Sequence, residues 1–397
     1  MDKLYDFRDG TKRQIETTSV LQSQRVFEVP KCQKYLIMFN TNQQQTKLFE
    51  AMQPRKVGVL PSTRYQGSKS KILNWIDYYT KDLDFDSVLD AFGGTGCVGY
   101  MYKKNGKQVF YNDSLKFNHY VGLAILENPG RILDNENLNF ILKKQSSVQY
   151  PSFINDTFHD IYFTDEENQW LDVVITNIRK IKNGYKRALA YYALFQSCII
   201  KRPYNLFHRK NLYIRTAEVE RSFGNKKTWD TPFEDHFVKF VEEANSAVFD
   251  NQKKNKAFHS DIFDLDSPKI DLVYIDTPYI SAEGIGVNYF DFYHFLEGIV
   301  SYDQWENLID KNSKHKRIKN GKNEWCNKGE IHGAFERLFD KFKNSILVVS
   351  YRDDGTPTIS ELVNMLKKHK ESVDVKKIDY KYVLSNGNSK EVLIIAQ

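Results

Sequence analysis

The stretch Val273-Tyr274-Ile275-Asp276-Thr277-Pro278-Tyr279 decides how this chain folds. An apolar run from Leu272 to Ile275 stops at a carboxylate, followed by a proline and an aromatic ring. Buried parallel strands end this way where they deliver polar groups to the carboxyl edge of a sheet, the edge at which open α/β folds hold their ligands. The pattern therefore predicts Asp276 at the rim of a cleft. Pro278 lacks a backbone donor and biases Thr277 towards extended backbone, so the Thr277 carbonyl is expected to point outward. Tyr279 adds a flat face beside these two acceptors. Such a set suits a planar group with an exocyclic amine, such as a nucleobase taken out of its helix. A plain strand end with a proline turn uses the same letters, so the rest of the chain has to decide.

Upstream, Ser87-Val88-Leu89-Asp90-Ala91-Phe92-Gly93-Gly94-Thr95-Gly96 reads as a short strand running into a glycine-rich turn, with a helix from Cys97 to Lys104. This strand-turn-helix brings backbone close to a nucleotide-like ligand. Gln108-Val109-Phe110-Tyr111-Asn112-Asp113 is a second strand ending in an acid, about twenty residues beyond the glycines, the separation at which a carboxylate reaches ribose hydroxyls. Before both, Arg64-Tyr65-Gln66-Gly67-Ser68-Lys69-Ser70-Lys71 leads into a helix with Ile72, Leu73, Ile76 and Tyr79 on one face. A glycine turn at a helix start offers free N–H groups, and Lys69 or Lys71 adds charge for an anion. Solvated lysines at an ordinary N-cap are the plainer alternative.

Between 121 and 255 the strand-helix alternation stops. Thr164 with Glu167 makes a capping box for one helix, and Tyr185 to Ile200 reads as a second, buried one. At its exit, Lys201-Arg202-Pro203-Tyr204-Asn205-Leu206-Phe207-His208-Arg209-Lys210-Asn211-Leu212-Tyr213-Ile214-Arg215 interleaves cations, aromatics and amides, and Arg221, Lys226 and Lys227 follow. Cations position phosphates while Arg and Asn read base edges, so this run is a candidate nucleic-acid contact. A second basic run, Lys311 to Lys319, is read first as a solvated face. The alternation returns at Ala257 to Phe263, a strand with an acid, Asp261, at its end, then at the Asp276 strand and at Ser345 to Tyr351. Thr358 and Glu361 cap a further helix. Strands at Ser372 to Val383 and Glu391 to Ala396, joined through Asn386-Gly387, are expected to add an antiparallel hairpin to a mostly parallel sheet.

The 397 residues, 41% of them hydrophobic, have room for one large domain or two ordinary ones. No apolar run approaches the roughly 20 residues of a membrane span, and the N-terminus lacks the order of a secretion signal, so the expected location is the cytoplasm, with no membrane partner. Cys32, Cys97, Cys198 and Cys326 lack paired spacing, which argues against a zinc site or disulfide framework. The net charge of +6 leans towards a polyanion without deciding for one. Residues 1–60, Gln-rich around Gln43 to Gln45, have no assigned role. The organisation expected is an extension at 1–60, a first catalytic part at 61–120, an inserted target-recognition region at 121–255 and a second catalytic part at 256–397.

Three motifs stand in one order: Tyr65-Gln66-Gly67-Ser68-Lys69, Asp90-Ala91-Phe92-Gly93-Gly94-Thr95-Gly96 and Asp276-Thr277-Pro278-Tyr279. Together the set resembles the adenine-N6 DNA methyltransferases of bacterial restriction-modification systems, in the Dam-like class that places target recognition before the catalytic tetrapeptide. Arg202 to Arg215 and Ser350 to Gly355 also look like that family. The resemblance implies a Rossmann-like S-adenosylmethionine-dependent methyltransferase fold and a monomer acting on double-stranded DNA, with any cognate restriction endonuclease acting separately. It implies that S-adenosylmethionine is held at Phe92, Gly93, Gly94, Thr95 and Gly96, with Tyr65 and Gly67 beside it, Asp90 near the methionine moiety, Asp113 on the ribose, Asp261 by the adenine and Lys69 near the cofactor's carboxylate or a DNA phosphate. Asp276 and the Thr277 carbonyl are then expected to accept from the target N6 amine, with Pro278 holding the turn and Tyr279 stacked on the flipped adenine. Arg202, Asn205, His208, Arg209, Lys210 and Arg215 are the expected DNA contacts. No metal is required, because the donor is already activated. One departure is Thr277 where the family more often has proline, and the needed carbonyl survives it. Three alternatives stay open: an amine in RNA or a glutamine side chain as acceptor, a nicotinamide-dependent oxidoreductase, and a DNA-binding module without catalysis.

Overall fold

The β-branched and aromatic runs form a sheet that is buried on both faces. The computed structural model describes residues 58–219, 226–281, 284, 286–378 and 390–397. Cys32, Arg221 and the Asn-Gly turn lie outside the described residues. The strands of this sheet are β1 Ser87–Asp90, β2 Gln108–Asp113, β3 Lys256–His259, β4 Leu272–Ile275, β5 Ile346–Arg352, β6 Val373–Ile378 and β7 Glu391–Ala396, in the order β3-β2-β1-β4-β5-β7-β6. The first five run parallel, and β7 lies antiparallel between β5 and β6. This is the mostly parallel sheet with a C-terminal antiparallel pair that the sequence predicts.

Every residue of β1, β4 and β7 is buried, which requires helices on both faces. Alternate residues feed two cores, because side chains along a strand alternate between faces. Val88, Tyr274, Val348 and Leu393 face one core, and Leu89, Val273, Val349 and Ile394 the other. The first core is roofed by α1 Leu73–Thr80, α2 Cys97–Lys104, α3 Lys116–Gly122, α4 Asp165–Arg179, α5 Gly184–Ile200, α6 Phe233–Ala247 and α7 Tyr289–Val300. The second is covered by α8 Ile331–Lys341 and α9 Ile359–Leu366. Capping boxes start α4 at Thr164 and Glu167 and α9 at Thr358 and Glu361.

The region 121–255 is mainly helical, as its composition suggests, and α4, α5 and α6 share the core of the sheet. Arg55–Gln397 accordingly forms one compact unit. The strand expected over Ala257 to Phe263 ends at His259; beyond it the Phe263 N–H donates to Asp261 Oδ1 at 2.9 Å and closes a turn. No helix among the described residues is long and apolar enough to cross a membrane.

Candidate active site

Parallel register brings three carboxyl strand ends side by side: Asp90 of β1 sits between Tyr111 of β2 and Tyr274 of β4. The turn carrying Tyr65, Gly67 and Lys69 folds over this edge, and the groups enclose a cavity of about 610 Å³. Asp276 leaves the end of β4 at its rim, with 17% of its side chain exposed. Asp276 Oδ1 accepts from Lys69 Nζ at 2.8 Å and from the Tyr279 hydroxyl at 2.7 Å, while Lys69 Nζ also donates to the Tyr279 oxygen at 2.7 Å. Lys69 is buried rather than solvated. Burial works to lower its pKa, but the Asp276 and Glu391 carboxylates hold it well above the ordinary lysine value. Tyr279 is raised well above the ordinary tyrosine value, first by burial and then by Asp276. Its ring and that of Tyr351 meet edge to face at 5.1 Å, and its hydroxyl lies 2.7 Å from Asp276 and 3.3 Å from Glu391. Thr277 and Pro278 line the cavity, and the buried Thr277 Oγ1 has no protein partner.

The glycine turn is shaped as much by its own packing as by space for a ligand. A Cβ on Gly93 would lie 2.0 Å from the Tyr111 ring, so Gly93 is required by that tyrosine. Gly94 and Gly96 take positive φ of 49° and 67°, which glycine adopts without strain. The Tyr111 hydroxyl donates to the Gly94 carbonyl (2.8 Å), and the Gly94 N–H donates to Asp113 Oδ2 (2.9 Å). Asp113 therefore braces the turn while lining the cavity, and burial pushes its carboxyl up to about 6. Asp90 accepts from the Gly99 N–H at 2.9 Å in the first turn of α2, and burial pushes it up to about 7. Phe92, Gly93, Gly94, Thr95 and Asp261 also line the cavity. Gly96 instead caps α2.

Residues 65–365 match the family described as D12 class N6 adenine-specific DNA methyltransferase. The chain belongs to this family. It is 30% identical over 338 residues to the type II methyltransferase M2.HphI of Haemophilus parahaemolyticus, covering 83% of this chain and 95% of that protein. It is 28% identical over 365 residues to modification methylase StsI of Streptococcus sanguinis, covering 82% of this chain and 50% of that protein. The type II methyltransferase M.FokI of Planomicrobium okeanokoites is 27% identical over 327 residues, 77% of this chain and 47% of that one. The chain thus spans nearly the whole of the first and about half of the other two.

In this D12 methyltransferase the basic-aromatic run divides into inward and outward halves. Arg202 is 1% exposed: its guanidinium donates to the carbonyls of Leu206 (3.2 Å), Tyr162 (2.9 Å) and Arg209 (3.0 Å) and to Asn211, over the faces of Tyr162 and Phe207. Arg215 is 5% exposed and pairs with Glu167 at 2.6 Å. Both were expected on DNA, and both face the interior instead, because a guanidinium with this many internal acceptors and stacked rings is satisfied without a phosphate. Arg209 and Lys210 are exposed, the latter paired with Asp160, while Asn205 and His208 are half-buried. Tyr204 and Asn205 take positive φ of 61° and 59°, and the Tyr204 ring is 66% exposed. The Tyr162 hydroxyl lies 2.7 Å from the Phe207 carbonyl and 2.8 Å from that of His315, tying this loop to the basic run at 311–319.

Several site residues escaped the sequence reading. Tyr65 stacks on Tyr293 (4.5 Å) and Tyr289 (5.7 Å) of α7, and the Gln66 N–H donates to the Tyr293 hydroxyl (2.8 Å). The aromatic spacing of Tyr289 and Tyr293, one helical turn apart beyond the tetrapeptide, was the available signal. Trp325 stacks on Phe263 at 5.9 Å and meets Phe92 edge-on at 5.0 Å, forming an aromatic wall of the cavity. Glu391, fully buried at the start of β7, lies 3.5 Å from Lys69 Nζ.

Proposed function

We propose that this chain transfers a methyl group from S-adenosylmethionine to the N6 amine of an adenine flipped out of double-stranded DNA. The observation that carries the reading is Asp276, set at the cavity rim between the glycine turn and the Lys69–Tyr279 pair. The cavity's residues suit the cofactor: Asp113 and Asp261 offer acceptors for hydroxyls, Asn112 Oδ1 is a buried acceptor with no protein partner, and the rings of Phe92 and Trp325, nearly perpendicular to each other, offer apolar surface for a purine. Phe92, Gly93, Gly94 and Thr95 would hold it, with Gly96 shaping the turn, Asp90 below and Tyr65 and Gly67 closing the side; Lys69 stands nearer the amine site. When bound, the cofactor supplies a methyl group on a cationic sulfur that leaves as a neutral thioether.

The chain's own part is positioning and electrostatics. Asp276 and the Thr277 carbonyl accept from the amine and aim its lone pair, and Asp276 stabilises the positive charge that grows on N6. Pro278 holds the turn. Tyr279 shapes the base pocket through its hydroxyl, and its ring offers the stacking face. Outside the pocket, Arg209 and Lys210 position phosphates, with Asn205 and His208 beside them, and the inserted region 121–255 supplies this recognition loop from a rigid base. The setting is a restriction-modification pair in the cytoplasm, the enzyme acting as a monomer and a cognate endonuclease acting separately.

The test is incubation with tritiated S-adenosylmethionine and unmethylated DNA, followed by digestion to nucleosides. Label in N6-methyladenine, abolished by Asp276→Ala, is expected. Label in RNA alone, or DNA binding without transfer, would overturn the reading.

A further inference from the structure

Asp276 Oδ1 already accepts two hydrogen bonds, from Lys69 Nζ and the Tyr279 hydroxyl. An arriving amine can reach Oδ2 without displacing either. The difficulty is the charge on Lys69. As the N6 nitrogen bonds the methyl carbon and the carbon–sulfur bond breaks with its electron pair passing to sulfur, N6 turns cationic until its proton passes to Asp276. An ammonium on the same carboxylate opposes that charge, and inside a protein such opposition is strong.

The fold sets a second carboxylate behind the same two donors. Glu391 Oε1 is 3.5 Å from Lys69 Nζ and 3.3 Å from the Tyr279 hydroxyl, and the Ser350 hydroxyl fixes it from β5 at 2.6 Å. Glu391 is buried on β7, the single antiparallel strand of the sheet, which places its first residue at the carboxyl edge of β5 beside β4. One ammonium thus lies between two carboxylates. A buried carboxylate is costly unless it is paired and hydrogen-bonded, and burial indeed raises the Glu391 carboxyl above its ordinary value.

We propose that Glu391 is a positioning residue for methyl transfer, the acceptor to which Lys69 and Tyr279 swing as N6 turns cationic beside Asp276. This rests on the reading of Asp276 given above. Glu391 touches neither amine nor methyl donor and acts through Lys69.

The test is single-turnover methyl transfer by Glu391→Gln, which keeps the shape and the Ser350 bond but cannot balance an ammonium. The rate is expected to fall at least about tenfold, with cofactor and DNA dissociation constants within about threefold of the parent, since charge relocation is needed only as the bond forms. In a Lys69→Met background the same change is expected to cost less than about twofold. Ser350→Ala, which loosens Glu391 without changing charge, is expected to slow transfer about threefold or more and supplies the test should the Gln variant not fold. A parent-like rate in Glu391→Gln, or the same fold loss with and without Lys69, overturns the inference. Absence of labelled N6-methyladenine from the parent enzyme would sink the reading of Asp276 itself, whereas labelling by parent and Glu391→Gln alike would sink only the role of Glu391.

Discussion

Replacing Arg202 with Met separates a structural arginine from a DNA-binding one. Met fills much of the same space, but it leaves the Leu206, Tyr162 and Arg209 carbonyls and the Asn211 amide oxygen without their donor. Hydrogen bonds to a charged donor contribute about 1.5–3 kcal/mol each, and cation–π contact with Tyr162 and Phe207 adds roughly 1 kcal/mol. Against this stands the cost of burying the guanidinium, strong enough to push its pKa down to about 9. Since these contributions are not additive, the net loss expected is about 3–5 kcal/mol. A solvated phosphate contact would change stability by no more than about 0.5 kcal/mol. Urea unfolding gives one readout, with the midpoint falling by about 1 M or more and the slope unchanged. The dependence of DNA affinity on salt gives the other: Arg202→Met keeps the parent slope, while Arg209→Ala lowers it by about one, as expected when one phosphate contact is lost. A parent-like midpoint with a reduced salt slope in Arg202→Met would refute the interior assignment.

Two further substitutions probe the site's support. Glu297 of α7 accepts the Phe117 N–H at 2.9 Å, and burial pushes its carboxyl from the ordinary 4.5 up to about 7. Because the folded value is the higher one, its contribution to stability is full below about 4.5 and is lost as pH rises through about 7. Glu297→Gln should therefore gain on the parent as pH goes from 4.5 to 8, read as the difference in urea midpoints; a difference that stays flat with pH would contradict this. Thr277→Val removes a buried hydroxyl that has no protein partner, and should stabilise the protein by roughly 1 kcal/mol with kcat within about twofold of the parent. A large loss of kcat there would show that the hydroxyl, and not only the backbone carbonyl, serves the reaction.

The sheet was legible because a buried parallel strand leaves a plain trace. Leu272 to Ile275 is apolar throughout, and the acid that ends it marks the carboxyl edge, so Asp276 could be placed without coordinates. The glycine turn was legible too, but its reason was only half right: Gly93 is required by the Tyr111 ring, a residue of another strand, and no local pattern reports a cross-strand clash. The run from Arg202 to Arg215 shows why composition misleads in a loop. Cations among aromatics and amides describe a nucleic-acid surface, and they equally describe a guanidinium buried among rings and carbonyls, since both environments offer π faces and oxygen acceptors. In a helix or strand, periodicity would have told inward from outward residues; this run has none, so Arg202 and Arg209 looked alike. Glu391 lay beyond reach for a different reason. Its meaning depends on an antiparallel strand entering between β5 and β6, which carries an acid from the far end of the chain, 322 positions from Lys69, to the edge where the parallel strands end. The residues expected to act on the amine sit where parallel strands stop, and the acid proposed to tune them arrives on the strand that runs the other way.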